Sequence, residues 1–523
     1  MKISIKKIFC LAAVILMVFS LNASALKMTR EAKTEQTLNN TVNLENIKIF
    51  QEFGEDLDPL VDLRLTVTIK EIRAFDKIDR FSDPDFYVKL IVNGQTFTSD
   101  VWHNQAVVTD EWEKTINIPD QDEYVDVTIQ LWDWNKLQDK ICDIAYNNNE
   151  DPDRHDLQLS YSLKTGHWYG DDSTEGMDSW SPDYSGYGRG NGCDDNSIYE
   201  QDMDCEILFD ITQNDFDGDG IPYWTEVNKY GTDPEVDDRG LDDDEDLVPI
   251  EWEHKWGHYL TYDHHNHTYG HAWFYDPFRY ENHEELDPDG DSLTNYEEYL
   301  TSEWGSNPFR KDIFVELDQM EAGPNGEPAS ILPEGTKEII KKAFNRQNIV
   351  FHLDDGCMGG LDTIPFDTTG DNTTRDELDQ MYYDYFLHGD EDNWRKGVFH
   401  YGLVVYNATF PGFVFRSDGY QVSTKGMESK AEQILTGSRE IVYATAYMHE
   451  LGHTLGLNHL FGHSTDGYSI WQILWWQARP YKSIMNYGYM YGIFHPNFCD
   501  YSDGHRGKND FDDWSNINFS NFE

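Results

Sequence analysis

The sequence predicts a multidomain chain: an antiparallel β-sandwich, then an acidic repeat region, then a mixed α/β domain. Three observations carry that prediction. Short alternating apolar runs fill the first part of the chain. An acidic pattern then recurs at matching spacing. Strand-like and helix-like segments alternate in the last part. With 523 residues, the chain exceeds what one hydrophobic core usually organises. Hydrophobic residues at 39% and aromatics at 14% are ample for packed cores. The formal net charge of −57 argues against nucleic acid as a partner, because phosphate binding needs clustered Lys and Arg. Abundant carboxylates instead suit hard cations such as calcium, which prefer oxygen ligands.

The chain opens with Lys2, Lys6 and Lys7, an apolar run from Ile8 to about Leu21, and Ala23-Ser24-Ala25. A basic start, a short apolar core and a small-x-small site are the pattern of a secretory signal, so residues 1–25 are expected to be cut near Ala25. An exported, secreted, monomeric protein follows as the expectation. Residues 26–58 are polar and aperiodic, as a linker or short pro-segment would be. Export permits disulfides. Cys193 with Cys205 is the first expected pair and Cys357 with Cys499 the next, leaving Cys142 over.

The sandwich is expected over 59–212. The runs "LRLTVTIKEI", "FYVKLIVNG", "EWEKTINIP", "VDVTIQLWDW", "HDLQLSYSL" and "CEILFDITQ" alternate apolar and polar residues between turn formers. Acids crowd two inter-strand loops, "FDKIDRFSDPDFYVKL" and "LWDWNKLQDKICDI". This arrangement resembles a C2 domain, in which loop aspartates at one end cradle calcium. The resemblance implies ligands at Asp76 or Asp79 with Asp83, and at Asp133, Asn135 and Asp139. Asn135 departs from the family, where an aspartate is usual. A C2-like sandwich also implies docking to a membrane or cell surface, although no basic patch accompanies it.

The repeats occupy 213–308: "DFDGDGIPYWTE", "DDDEDLVPIEWE" and "DPDGDSLTNYEE". Each places acids at positions 1, 3 and 5 and a glutamate at position 12, the ligand arithmetic of a calcium loop. The ligands are Asp215, Asp217, Asp219, the Ile221 carbonyl and Glu226 in the first loop. They are Asp242, Asp244, Asp246 and Glu253 in the second, and Asp287, Asp289, Asp291 and Glu298 in the third. Only the first keeps glycine at position 6, as Gly220; the others carry Leu247 and Ser292. The run "DGDGIPYWTEVNKYGTDP" resembles thrombospondin type 3 and related bacterial calcium repeats, which implies a stiff, metal-filled spacer with little hydrophobic core. The histidines of the intervening "HKWGHYLTYDHHNHTYGHAWF" could bind zinc or copper, although they lack fixed metal spacing; the alternative is an aromatic-rich surface insertion.

Over 309–523, "RKDIFVELD", "IVFHLDDG" and "VFHYGLVVYNATF" read as strands, while "PEGTKEIIKKAFNRQ" and "SREIVYATAYMHELGHTLG" read as helices. Residues four apart on a helix share a face, so His449 and His453 can offer nitrogens to one ion. Glu450 then leans beside that ion, placed to accept a proton. Gly456 can take the left-handed conformation that stops a helix and turns the chain back, delivering His459. Three ligands leave a coordination position for water, as a catalytic zinc requires. A chance occurrence of these five identities at this spacing is on the order of one in several thousand.

His449, Glu450, His453, Gly456 and His459 form HExxHxxGxxH, and the sequence resembles the metzincin clan of zinc endopeptidases here. "KSIMNYGYM" looks like the clan's Met-turn. The resemblance implies Met485 as the floor of the zinc site and Tyr487 as a group that approaches the metal or the oxyanion. It implies a metzincin-type fold, one catalytic zinc, structural calcium, Glu450 as general base, and a protein or peptide substrate. An extended substrate would pair with the strand near "HYGLVVYN", with "ATFPGFVF" in the cleft wall. The clan family stays open. The alternative is an extracellular calcium-dependent adhesion or binding protein whose protease fold is secondary.

Overall fold

The computed structural model describes residues 56–145, 154–171, 188–193, 202–263, 268–366, 373–433, 438–459, 473–490 and 498–522. The expected signal segment lies outside them. Alternation in the first part builds strands β1 (Arg64–Ala74), β2 (Phe86–Val92), β3 (Gln95–Thr98), β4 (Val107–Val108), β5 (Trp112–Asn117) and β6 (Tyr124–Asp133). β7 (Lys140–Cys142), β8 (Leu157–Ser162), β9 (Trp168–Gly170), β10 (Arg189–Asn191) and β11 (Cys205–Gln213) follow. They form two antiparallel sheets. One runs β10-β11-β1-β4 with β5 also on β1; the other runs β3-β2-β6-β8-β9 with β7 on β6.

In β1, Leu65, Val67 and Ile69 face inward at period two. A register shift between Ile69 and Glu71 then moves the inward positions to Ile72 and Ala74. The bulge keeps both halves of the strand on the shared core, where they meet Val88 and Leu90 of β2 and Val127 and Ile129 of β6. Cys142 and Cys205 are buried here with their side chains in mutual contact. No disulfide joins them, and the expected Cys193–Cys205 pair does not form. Cys357 Sγ instead faces Leu353 O at 3.7 Å and Cys499 Sγ faces Met448 Sδ at 3.7 Å, so that expected pair does not form.

The repeat region contains helix α1 (Ile250–Gly257), the hairpin β12 (His258–Asp263) and β13 (Thr268–Trp273), and helix α2 (Asn295–Leu300). It has its own small core of Val248, Trp252, Trp256 and Tyr275. The expected spacer is therefore corrected: Leu57–Glu523 is one compact unit, and the sandwich touches the last domain directly. The fully buried Arg189 donates to Glu206 at 2.5 Å and to the Asn345 carbonyl at 2.8 Å. Asn345 donates in turn to Glu206 at 2.8 Å. Arg346 reaches the Phe75 carbonyl at 2.6 Å. These charge-assisted bonds tie the two domains together.

The last domain holds a mixed sheet in the order β15-β14-β17-β19-β18, with β16 on β14. Its strands are β14 (Asp312–Met320), β15 (Val350–Asp354), β16 (Thr363–Ile364), β17 (Phe399–Val405), β18 (Gly412–Val414) and β19 (Gly419–Ser423). All neighbours run parallel except β18, which is antiparallel to β19. Helices α3 (Glu334–Arg346), α4 (Arg375–Met381), α5 (Thr424–Gln433), α6 (Arg439–Thr454) and α7 (Ile473–Ala478) accompany it. One face of β14, with Ile313, Val315 and Leu317, packs with α3 and α6. The other face shares a core in which Phe314, Tyr401 and Leu403 meet Leu378 and Tyr382. Both faces are covered, which is why β17 is mostly apolar and buried along its length.

β17, in the segment expected to pair with a substrate, lies between β14 and β19 and has no free edge. The segment expected to form cleft wall holds β18. Among the described strands, β18 pairs with β19 only.

Candidate metal centres

Helix α6 starts at Ser438, whose hydroxyl accepts from Ile441 N at 3.2 Å. It ends where Gly456 takes φ 80°, and Leu457 N donates back to Gly452 O at 2.8 Å. The reversal brings His459 beside the helix. Ring centroids of His449, His453 and His459 then lie 4.8 to 5.0 Å apart, and their ligand atoms lie within 4.8 Å of one another. His449 Nδ1 bonds Ile484 O at 2.8 Å and His453 Nδ1 bonds Leu457 O at 2.8 Å. Each carbonyl accepts the Nδ1 proton and so places the lone pair on Nε2, the usual outer arrangement of a metal-binding imidazole. The residues present fit zinc.

The Ile484 carbonyl belongs to the turn that carries Met485. Asn486 N donates to Ser483 O at 3.0 Å to close that turn. Met485 is fully buried beneath α6, and a Cβ at Gly452 would stand 2.7 Å from its sulfur. Glycine is needed there for the floor to approach. The Tyr487 ring stacks on His449 at 5.4 Å and lies 4.6 Å from His459. Glu450 is buried, and burial raises its pKa to about 8. A Cβ at Gly412 would stand 2.2 Å from Glu450 Oε1, so β18 passes directly over the carboxylate.

The acidic loops share one backbone design. The first-position aspartate accepts from the sixth-position amide: Asp215 from Gly220 at 3.0 Å, Asp242 from Leu247 at 3.2 Å, Asp287 from Ser292 at 3.1 Å. The fifth-position aspartate accepts from the seventh: Asp219 from Ile221 at 2.8 Å, Asp246 from Val248 at 3.3 Å, Asp291 from Leu293 at 2.8 Å. Gly220, Leu247 and Ser292 have φ of 90°, 84° and 77°. Leu247 and Ser292 thus adopt the glycine conformation without being glycine, at a local cost of about 1–3 kcal/mol each.

The twelfth-position glutamates turn inward and are buried. Burial, then repulsion from Asp219 and Asp217, raises the Glu226 pKa to about 8. Burial, then Asp246 and Asp244, raises Glu253 to about 10. Burial, then Asp312 and Asp291, holds Glu298 well above its usual range. Asp217, Asp219 and Glu226 converge as one cluster, and Asp242, Asp244 and Asp246 as another. In the third loop, Asp289 and Asp291 are likewise raised by burial and by neighbouring carboxylates.

Sequence reasoning missed several residues that close these loops. Asp312, the first residue of β14, donates its amide to Asp291 Oδ2 at 2.6 Å and bonds His352 Nε2 at 2.6 Å. Asp246 gathers Glu281 and His283. All of these lie outside any twelve-residue window, so no local spacing marks them.

The sandwich loops gather Asp79, Asp133, Asn135 and Asp139 and give Asp76 other partners. Lys140 Nζ sits 3.1 Å from Asp79 and 3.5 Å from Asp133. Asn135 donates to Asp133 at 2.5 Å and its amide to Asp139 at 3.0 Å, while Asp139 also accepts from Tyr87 at 2.9 Å. Asp76 instead groups with Asp202 and Asp204, and the Asp83 amide donates to Asn104 at 3.2 Å. The ammonium of Lys140 thus supplies a positive charge between Asp79 and Asp133. In the histidine-rich segment, His258 and His271 bond at 2.9 Å, and His271 reaches Glu123 at 2.8 Å. These histidines join the hairpin to the sandwich; His264, His265 and His267 lie outside the described residues.

No family model matches the chain, and no curated protein matches it. Solved structures resemble part of the chain weakly. One titled "Structure of a C2 domain" is 12% identical with a TM-score of 0.16, over 28% of this chain and 97% of that one. The first C2 domain of plant Extended Synaptotagmin 1 is 11% identical with a TM-score of 0.16, over 28% of this chain and 95% of that one. Human GIVD cytosolic phospholipase A2 is 16% identical with a TM-score of 0.15, over 29% of this chain but 16% of its own length. The antiparallel sandwich itself rests on the strand pairing described above. No helix among the described residues is long and apolar enough to cross a membrane.

Proposed function

We propose that the chain is a secreted zinc endopeptidase of metzincin type, with calcium held by its acidic loops. The observation that carries this reading is the convergence of His449, His453 and His459 beside Glu450. When bound, zinc supplies a Lewis acid that acidifies water and polarises a carbonyl.

The chain's own groups do the rest. Backbone carbonyls of Ile484 and Leu457 orient the imidazoles. Glu450 accepts the proton of the attacking water and delivers it to the departing amide nitrogen as the C–N bond breaks. Tyr487, held against two ligands, donates its hydroxyl proton toward the developing oxyanion. An extended peptide adds to the open side of β18, which brings its scissile bond over Glu450. The all-oxygen first and third loops suit calcium. Since Asp312 links the third loop to β14, calcium there would brace the sheet under the site.

Incubation of the mature chain with an unfolded protein tests the reading, with new N-termini identified by mass spectrometry. Cleavage should stop with a zinc-selective chelator and return with added zinc. Cleavage that survives the chelator, or none under any condition, sinks the proposal and leaves the binding-protein alternative.

A further inference from the structure

The second acidic loop differs from its neighbours in one respect: an imidazole enters it. His283 is fully buried, and its Nε2 lies 3.2 Å from Asp246 Oδ2 and 3.9 Å from Glu253 Oε1. It makes a proper hydrogen bond with neither. Glu281, 7% exposed, turns into the same space and donates its amide to Asp246 Oδ2 at 3.2 Å. Its Oε1 lies 2.7 Å from Arg279, while Oε2 has no hydrogen bond. Glu253 Oε1 and both Asp244 oxygens also have none. Ligand atoms of Asp246, Glu253, Glu281 and His283 fall within 4.8 Å of one another.

Three buried carboxylates around one imidazole repel one another unless protons or a cation neutralise them, and Arg279 stands against Glu281 alone. Water alone would satisfy hydrogen bonds but not the charge. Trp252 and Tyr275 pack edge-on against the His283 ring at 5.7 and 4.9 Å and keep its side of the pocket apolar.

We infer that this pocket is a second transition-metal site, built by Asp246, Glu253, Glu281 and His283 for a first-row divalent ion such as zinc or manganese. The donor set decides the class of ion. Calcium prefers oxygen ligands alone, whereas imidazole suits zinc, manganese and their neighbours. Asn295 supplies the outer support that such a ligand needs. It is fully buried, its Nδ2 lies 2.9 Å from His283 Nδ1, and its Oδ1 has no hydrogen bond. Metal on Nε2 moves the ring proton to Nδ1. Rotation of the Asn295 amide then presents Oδ1 as the acceptor, which satisfies both groups. The pocket stands independently of the peptidase reading, since neither α6 nor the Met-turn contributes to it.

Metal content of the full mature chain tests the inference, in a Glu450→Ala background that prevents self-digestion. The protein is equilibrated with equal zinc, manganese and calcium, desalted and analysed for each element. About two equivalents of first-row metal are expected, falling to about one in His453→Ala and, separately, in His283→Ala. If the histidine triad binds nothing, the single remaining equivalent should survive His453→Ala and vanish with His283→Ala, so the two readings fail separately. Should His283→Ala not fold, zinc-edge X-ray absorption on the His453→Ala chain replaces it. One imidazole among oxygen donors supports the site. First-row metal absent from His453→Ala, or calcium alone in the loop, overturns it.

Discussion

The histidine triad and the acidic loops are both built to surround a cation, yet they reach that state by opposite routes. The triad uses neutral donors. Backbone carbonyls hold His449 and His453 in place, and the turn at Gly456 delivers His459. The loops crowd carboxylates whose protons are retained well above the usual range, as at Glu226 and Glu253. A neutral cage can keep its shape before metal arrives, whereas crowded carboxylates must hold protons or a cation to stay buried. The triad is therefore a site within a fold, and the loops are part of what makes the fold.

The largest consequence concerns metal removal. Stripping calcium should lower the melting temperature steeply, since each site saturated at a hundred times its Kd contributes about 2.7 kcal/mol. Removing zinc alone should abolish hydrolysis with a smaller thermal shift. Equal shifts from the two chelators in a melting experiment would erase the contrast.

Acid sharpens the comparison from a third place, the hairpin contact. His167 is buried, and burial lowers its pKa to about 4. The unfolded chain takes up that proton near the ordinary value of about 6.5, so folding is favoured above it and loses support as pH falls toward about 4. The loss approaches about 3 kcal/mol at the acid end. Denaturant melts of wild type and His167→Gln at pH 7 and pH 4.5 measure it, and the variant should show the weaker acid dependence.

Packing at the Glu450 carboxylate gives a smaller effect. Gly412→Ala places a methyl 2.2 Å from Glu450 Oε1, so the carboxylate must move. kcat should fall about ten- to a hundredfold with zinc content unchanged. Unaltered turnover would mean that β18 does not pass over the base. The smallest expected effect lies in the second loop. Leu247 holds φ 84° and is 44% exposed, so Leu247→Gly removes backbone strain with little lost packing. It should stabilise by about 1 kcal/mol in thermal melts, whereas Gly220→Ala in the first loop should destabilise.

Legibility in the sequence followed the range of each interaction. His449, Glu450 and His453 were readable because α6 imposes their spacing, and Gly456 because a single residue ends the helix. The loops were readable for the same reason. Leu247 and Ser292 adopt the left-handed conformation because the first-position aspartate captures their amides, an interaction that glycine identity alone does not reveal. What stayed hidden involves partners far apart in the chain. Glu281, His283 and Asp312 join loops that precede them, and Lys140 enters between Asp79 and Asp133. β18 escaped notice as the open edge because Gly412–Val414 is too short to display alternation. The expected spacer failed through Arg189, Glu206 and Asn345, whose buried bonds join domains that look separate in sequence.

Glu450→Gln preserves the size of the side chain while removing the base, which makes it the most direct trial of the peptidase account. Wild type and variant, loaded to equal zinc content, are compared for hydrolysis of the same unfolded protein. The account predicts zinc retained in both and a rate at least about 10²–10⁴ lower in the variant. Equal rates at equal zinc would contradict it.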